Sequence, residues 1–232
     1  MGAKLRSSVW ILVALGLVGI SALSVVTALN SEPRSISANV YGDTYISTYD
    51  PLAAHGSEGK LMVTRANNQA NWTLILFNLV GMLRPGDLVV DGRVRLATES
   101  ASPTGWPATL VTGRLLTNWD ENKVTFKTKP LITYDIRTAT FVDKRPDYNK
   151  PIWIDVTKQL SRWHTYGGPS NFGTVISFAS DADGVSLAFG SKESTNGLKT
   201  PELQVKYKPG NQSIYGYGVL PEMIEAATIR VE

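Results

Sequence analysis

Past residue 35 the chain is cut into short runs rich in Val, Ile, Leu, Thr and Phe, and each run ends at residues that turn a backbone. The runs are Ile36–Val40, Thr44–Ser47, Leu61–Thr64, Trp72–Asn78, Leu88–Ala97, Thr109–Leu115, Lys123–Lys127, Ile132–Arg137, Ile152–Val156, Gly173–Ala179, Val185–Phe189 and Glu202–Tyr207. Between them stand breakers such as Asp50-Pro51, Arg84-Pro85-Gly86-Asp87, Ser102-Pro103-Thr104-Gly105, Gly167-Gly168-Pro169, Asp183-Gly184 and Asn196-Gly197. β-branched residues inside such runs and Gly, Pro, Asn or Asp outside them are the signature of strands joined by turns. The spacing predicts an all-β body, an antiparallel β-sandwich of jelly-roll type, rather than alternating α/β units.

Two strands carry further information. Val89 to Leu96 begins apolar and ends in alternation, which turns Arg93 and Arg95 to water and Val94 and Leu96 to a core. Thr73 to Val80 does not alternate, so both its faces must be covered, by the chain's own tails or by another molecule. One short helix is expected from Thr157 to Trp163. Asp155 or Thr157 can accept from its first free N–H groups, and Leu160 and Trp163 share one face.

The N-terminus adds an expectation about compartment. Lys4 and Arg6 precede an apolar run from Val9 to Ala28, and no charge follows until Glu32. This reads as a hydrophobic export helix over residues 1–28, either cleaved after Ala28 or kept as an anchor, so the membrane is met through this segment alone. The remainder would lie outside the cell or on its surface. The absence of cysteine excludes disulfide scaffolds and thiolate-ligated metals. Beyond residue 28 the charges nearly balance, 21 basic against 20 acidic, which argues against nucleic acid as a partner. Two glycosylation triplets, Asn71-Trp72-Thr73 and Asn211-Gln212-Ser213, suit an exported chain; Asn211, beside the Pro209-Gly210 turn, is the better acceptor.

Five motifs in order then resemble the DNRLRE family, the disaggregatase-related β-sandwich domain. Asp43-Thr44-Tyr45-Ile46 is similar to its opening Asp-Thr-Tyr-Val strand. Leu74 to Leu79, followed by Leu83-Arg-Pro-Gly86 and Val94-Arg-Leu96, is similar to its Leu-Leu-Lys-Phe-Asp-Leu series. Trp119-Asp-Glu121 through Val124-Thr125-Phe126 to Pro130, Ile154-Asp155-Val156-Thr157 with Leu160 and Trp163, and Phe189-Gly-Ser191-Lys-Glu193 with Pro201 to Tyr207 complete the set. Leu76 stands where the family has a basic residue, Asn78 where it has Asp, and Lys192 where it has Arg. The resemblance implies a non-catalytic extracellular sandwich over 43–208, in a family with alginate-binding carbohydrate-binding modules, flanked by tails at 29–42 and 209–232. Asp43 and Glu193, at family positions, can supply carboxylates to a structural calcium; no other cofactor is expected.

Other candidates come from the residues themselves. Trp106, on a Pro-rich loop, and Trp153, on the strand face opposite Ile152 and Ile154, are expected to stack on sugar rings, with Arg93 and Arg95 as charge partners for an acidic polysaccharide. Trp119 and Trp163 read as core. Asp181-Ala-Asp183-Gly184 is half of a calcium loop, and also a common hairpin turn. His55 and His164 are the only histidines, and no nucleophile elbow, zinc-helix or P-loop motif occurs. Asp120-Glu121 would point to opposite faces if extended, so this pair cannot flank one glycosidic bond. We expect no enzyme, but a carbohydrate-binding or adhesive module. The alternative is a structural subunit of a filament or surface layer, self-associating through tail strands such as Ala226–Glu232.

Overall fold

The computed structural model describes residues 32–166, 171–198 and 200–210. The expected export segment, the acceptor Asn211 and the C-terminal tail lie outside the described residues. Two compact units are distinguished. The larger holds Arg34–Leu83 and Val89–Tyr207. The described part of the smaller is residues 32–33, 84–88 and 208–210, where Asp87 accepts from the Arg84 N–H at 2.8 Å and the Gly210 N–H at 2.9 Å.

Strands dominate the larger unit. They are β1 (Arg34–Ser47), β2 (Lys60–Ala66), β3 (Gln69–Phe77), β4 (Leu88–Ala101), β5 (Ala108–Leu115), β6 (Ile132–Thr133), β7 (Ala139–Val142), β8 (Pro151–Asp155), β9 (Thr174–Phe178), β10 (Val185–Gly190) and β11 (Glu202–Lys208). One short helix, α1 (Thr157–Tyr166), follows β8. The Asp155 carboxylate accepts the Thr157 N–H at 2.8 Å, the cap that the sequence offered. Gln159, Leu160 and Trp163 are its buried residues.

The strands run in the order β1-β11-β4-β10-β2-β3-β9-β5-β6, with β7 on β5 and β8 on β4. β1 also pairs with β3, which closes the path into a ring. Instead of two cleanly separate sheets, the body is therefore one barrel-like sheet. The cause lies in the two longest strands. β1 pairs with β11 through residues 34–39 and with β3 from Val40 onward, with a bulge between Val40 and Gly42 where it changes partner. β4 pairs with β8 through 93–97 and with β10 from Thr98. The segment expected as an N-terminal tail is thus, from Arg34, the first half of β1 and is paired inside the chain.

The inner core draws on all sides of this ring. It includes Leu61, Val63, Ile75, Val94, Leu96, Ile154, Leu160, Ile176, Leu187, Phe189 and Leu203. Each fully buried side chain of this size contributes about 1.5–3 kcal/mol of transfer free energy. A second cluster lies on the opposite face of β3 and β9, where Ile46, Leu74, Leu115, Val124 and Val175 are joined by Trp72, Trp119, Phe126, Ile132 and Phe172. Here is the cover that the doubly apolar β3 requires: neither a tail nor another molecule, but the loop between β5 and β6, which contributes Trp119, Val124 and Phe126. Lys123–Lys127, expected as a strand, turns instead, because Asp120 accepts the N–H groups of Lys123 and Val124.

Truncating the buried Leu74 to Ala should cost about 2–5 kcal/mol, because the cavity would open between β3 and this loop. Urea unfolding of the full chain measures it; a loss below about 1 kcal/mol would mean that the loop does not seal that face.

Candidate functional site

Strand alternation builds an exposed polar face on the outer side of β1, β11, β4 and β8. In β8, Ile152 and Ile154 point to the core while Trp153 keeps 37% of its surface exposed. Trp153 lies directly opposite Arg95, and Arg93 opposite Asp155. β11 adds exposed Gln204 and Lys206, and the first half of β1 adds exposed Ser35, Ser37 and Asn39. Arg93 is held by Asp91 at 3.0 Å. Arg95 and Lys206 have no ion pair among the described residues, and Arg95 Nη1 is buried there without a hydrogen-bond partner. The arrangement offers one planar ring, two uncompensated cations and amide and hydroxyl groups on a sheet surface. Chemically it suits a sugar chain: the ring covers C–H faces, and the guanidinium takes a carboxylate or hydroxyls.

Trp106 is placed differently. Its ring packs half-buried against the inner core, edge-on to Phe178 at 6.3 Å, and its indole N–H donates to the Ser102 carbonyl at 2.9 Å. The structure brings Trp153, Arg93 and Arg95 together on one face and sets Trp106 as a lid over the core edge. Trp163 is buried, as expected of core. Trp119 is half-buried and donates to the Phe172 carbonyl at 2.8 Å. Gln204 and Lys206 were not among the sequence candidates, although the alternation of Glu202–Tyr207 carries the signal for both.

The acids considered for calcium lie at two separate places, as the two motifs would have them. Asp43 and Glu193 do meet, but Asp181 and Asp183 lie on an exposed turn, where Asp183 accepts the Asn67 N–H at 3.3 Å. Glu121 completes the cluster, with carboxylate oxygens of Asp43, Glu121 and Glu193 all within 4.8 Å of one another. Its signal was its place in the Trp119-Asp-Glu121 motif. Asp43 is buried; it accepts the Lys192 N–H at 3.0 Å and the Ser191 hydroxyl at 3.3 Å, while its own N–H donates to Glu121 at 3.1 Å. These are hard oxygen donors of the kind calcium takes. Lys192 Nζ, however, already lies 2.6 Å from Glu121 and 3.3 Å from Glu193 and supplies positive charge to the cluster. The loop Pro51–Gly59 holds this clasp from behind: a Cβ on Gly56 would stand 2.1 Å from the Glu121 carbonyl oxygen. Beside it, His55 stacks on Tyr45 at 4.1 Å, and both hydrogen-bond Glu58, at 2.6 and 2.9 Å. Burial acts most strongly and would raise the Glu58 carboxyl, but those two bonds together with the charges of His55 and Lys60 hold it below its usual value.

Neither acid pair is arranged for glycosidic cleavage. Asp120 faces outward to Lys123 at 2.9 Å while Glu121 turns into the clasp, and Asp43 has no exposed surface at which a glycosidic oxygen could enter. Asn71, one of the two glycosylation candidates, is buried in β3 and its amide donates to Thr64 at 3.2 Å, so the folded chain does not present it.

Burial raises the Asp43 carboxyl most; the Lys192 N–H bond opposes this, and the negative Glu193 beside it raises it further, up to about 7. A folded value above the unfolded 3.8 means that the folded chain holds the proton through the interval between them. This group's contribution to stability is full below pH 3.8 and is lost as the pH rises through about 7. Asp43→Asn should therefore flatten the fall in melting temperature between pH 4 and 8, which thermal scans across that range would read. A mutant profile parallel to the wild type would exclude Asp43 as the titrating group.

Compared with known families, residues 35–207 match the model described as Carbohydrate-binding module family 96. Among curated proteins, none matches the chain.

Proposed function

The chain belongs to carbohydrate-binding module family 96, and from that premise we propose that it binds polysaccharide, without catalysis, through the outer face of β1, β11, β4 and β8. The observation that carries this choice of surface is Trp153, partly exposed in mid-strand and opposite an Arg95 that no carboxylate among the described residues neutralises. A partly exposed indole on a polar sheet face offers the C–H faces of a sugar ring an apolar contact. The unpaired Arg95 and Lys206 give the face a positive character, so the ligand we assign is an acidic polysaccharide. The series of motifs that resembles the DNRLRE domain falls within the matched residues and is the finer kinship we assign. Extracellular or cell-surface placement follows from the basic, then apolar, N-terminal segment.

The rival reading, a filament built by strand pairing, finds a poor edge in β8. Val156 donates to Gly92 on β4, so Pro151, Trp153 and Asp155 turn their backbone groups outward. Pro151 has no N–H to give, and the Asp155 carbonyl is taken by the Thr138 hydroxyl. A proline and a capped carbonyl on a five-residue edge are features that discourage strand addition.

Trp153→Ala and Arg95→Ala should each weaken binding to a uronate polymer by roughly tenfold, since such contacts contribute on the order of 1 kcal/mol or more. Affinity electrophoresis in alginate or polygalacturonate measures this, with circular dichroism to verify the fold. Unchanged mobility of both variants would remove the proposed face from consideration.

A further inference from the structure

Beyond the loop that covers β3, the same outer face carries exposed rings. Register places Trp72, Ser177, Val111 and Ala139 side by side across β3, β9, β5 and β7: Thr73 pairs with Ile176, Val111 with Ser177, and Val111 with Ala139. Two residues along β5 in one direction is Gly113, and the Tyr134 ring occupies its missing side chain, with Cε1 2.9 Å from where a Cβ would stand. Two residues in the other direction is Thr109, paired with Phe141. Tyr134 is 44% exposed and Phe141 67% exposed. Gly113 and Thr109, four residues apart, are separated by about 13 Å along the strand, and the row from Trp72 to Ala139 spans about 14 Å across it. Two exposed rings therefore flank this stretch of β5; between them Val111 and Ser177 are buried, Ala139 is exposed, and half-buried Trp72 lies to one side.

Exposed charges of both signs lie along this segment. Arg137, exposed two residues before Ala139, has no ion pair among the described residues. Asp135 is tied to buried Arg114 through both oxygens, at 3.2 and 2.6 Å. Asp143, two residues beyond Phe141, is the acid at the far end.

We propose that this face is a second polysaccharide platform, on which Tyr134 and Phe141 stack on sugar rings and Arg137 receives a carboxylate of an acidic chain. The inference rests on the reading of the protein as a carbohydrate binder and adds a site to it. Rigid aromatic rings lose little entropy when a ligand orders them, and Tyr134 and Phe141 are both exposed to receive one. The two platforms face outward from layers that share the inner core, since Val94, Ile154 and Leu203 meet Leu110, Ile176 and Phe178 there. Two separate sites of this kind would let one module hold two polysaccharide strands.

Calorimetry of the full chain with defined oligomers of polyguluronate and polygalacturonate tests this. Two sites per chain are expected. Trp153→Ala should leave one, Phe141→Ala with Arg137→Ala should leave the other about tenfold or more weaker, and the triple variant should bind neither oligomer. Phe141 and Arg137 are exposed, so these changes leave the fold intact, as circular dichroism would verify. One site per chain, abolished by Trp153→Ala and indifferent to Phe141 and Arg137, would overturn this second platform and leave the first standing. A chain that binds neither oligomer sinks both readings. Phe141→Ala that alters the sedimenting mass, with sugar binding unchanged, would make the face a self-association surface and also overturn the proposal.

Discussion

The larger unit depends on two long strands that change partner along their length. β1 and β4, both fourteen residues long, hand over from one partner to another partway along, and the pairing of β1 with β3 closes the circuit. Without that closure the inner core would have an open side, since its residues come from nearly every strand of the ring. A chain with no disulfide has only this packing and the ladders to hold it. The bulge at the β1 handover also sets Gly42 and Asp43 at the corner where the acidic clasp forms.

The clasp ties together parts of the chain that the sheet alone does not join. Asp43 at the bend of β1, Glu121 in the covering loop and Lys192 and Glu193 after β10 are bound through one network of short bonds. The loop that brings Glu121 also brings Trp119, Val124 and Phe126 over β3. Polar closure at the corner and apolar closure over the face are thus the work of a single segment. Burial of the Asp43 carboxyl is the electrostatic cost of that arrangement, and Lys192 offsets it.

Once the core is sealed, exposed aromatic side chains remain on both outer faces. On one, strand alternation alone raises Trp153 and Arg95 to the surface. On the other, Tyr134 and Phe141 stand exposed near β5 and β7. Their proximity to a ligand would follow from position on the sheet and would require no movement of the backbone.

Much of this was legible in the chain. Turn residues marked most strand boundaries, the cap at Asp155 was visible, and alternation told which residues of β4 and β8 face water. Trp119 and Trp163 read as core, and they are half-buried and buried. Other features were not legible. Lys123–Lys127 has the composition of a strand, yet Asp120 bonds its backbone locally into turns. Trp106 looked like a loop aromatic free to bind, yet its N–H and ring edge are engaged by neighbours.

Periodicity and turn chemistry are local, so the sequence alone determined where the strands are, which side chains share a face and that both faces of β3 need cover. Partners and register join residues far apart in the chain, and only the tertiary structure decided them. It set Arg95 beside Trp153, supplied the cover from the β5–β6 loop, made a barrel-like ring where two sheets were expected, and gathered Asp43, Glu121 and Glu193 at one corner. The physical reason is that a strand's edge groups can bond any other strand, and the choice among them is made by the core they enclose together.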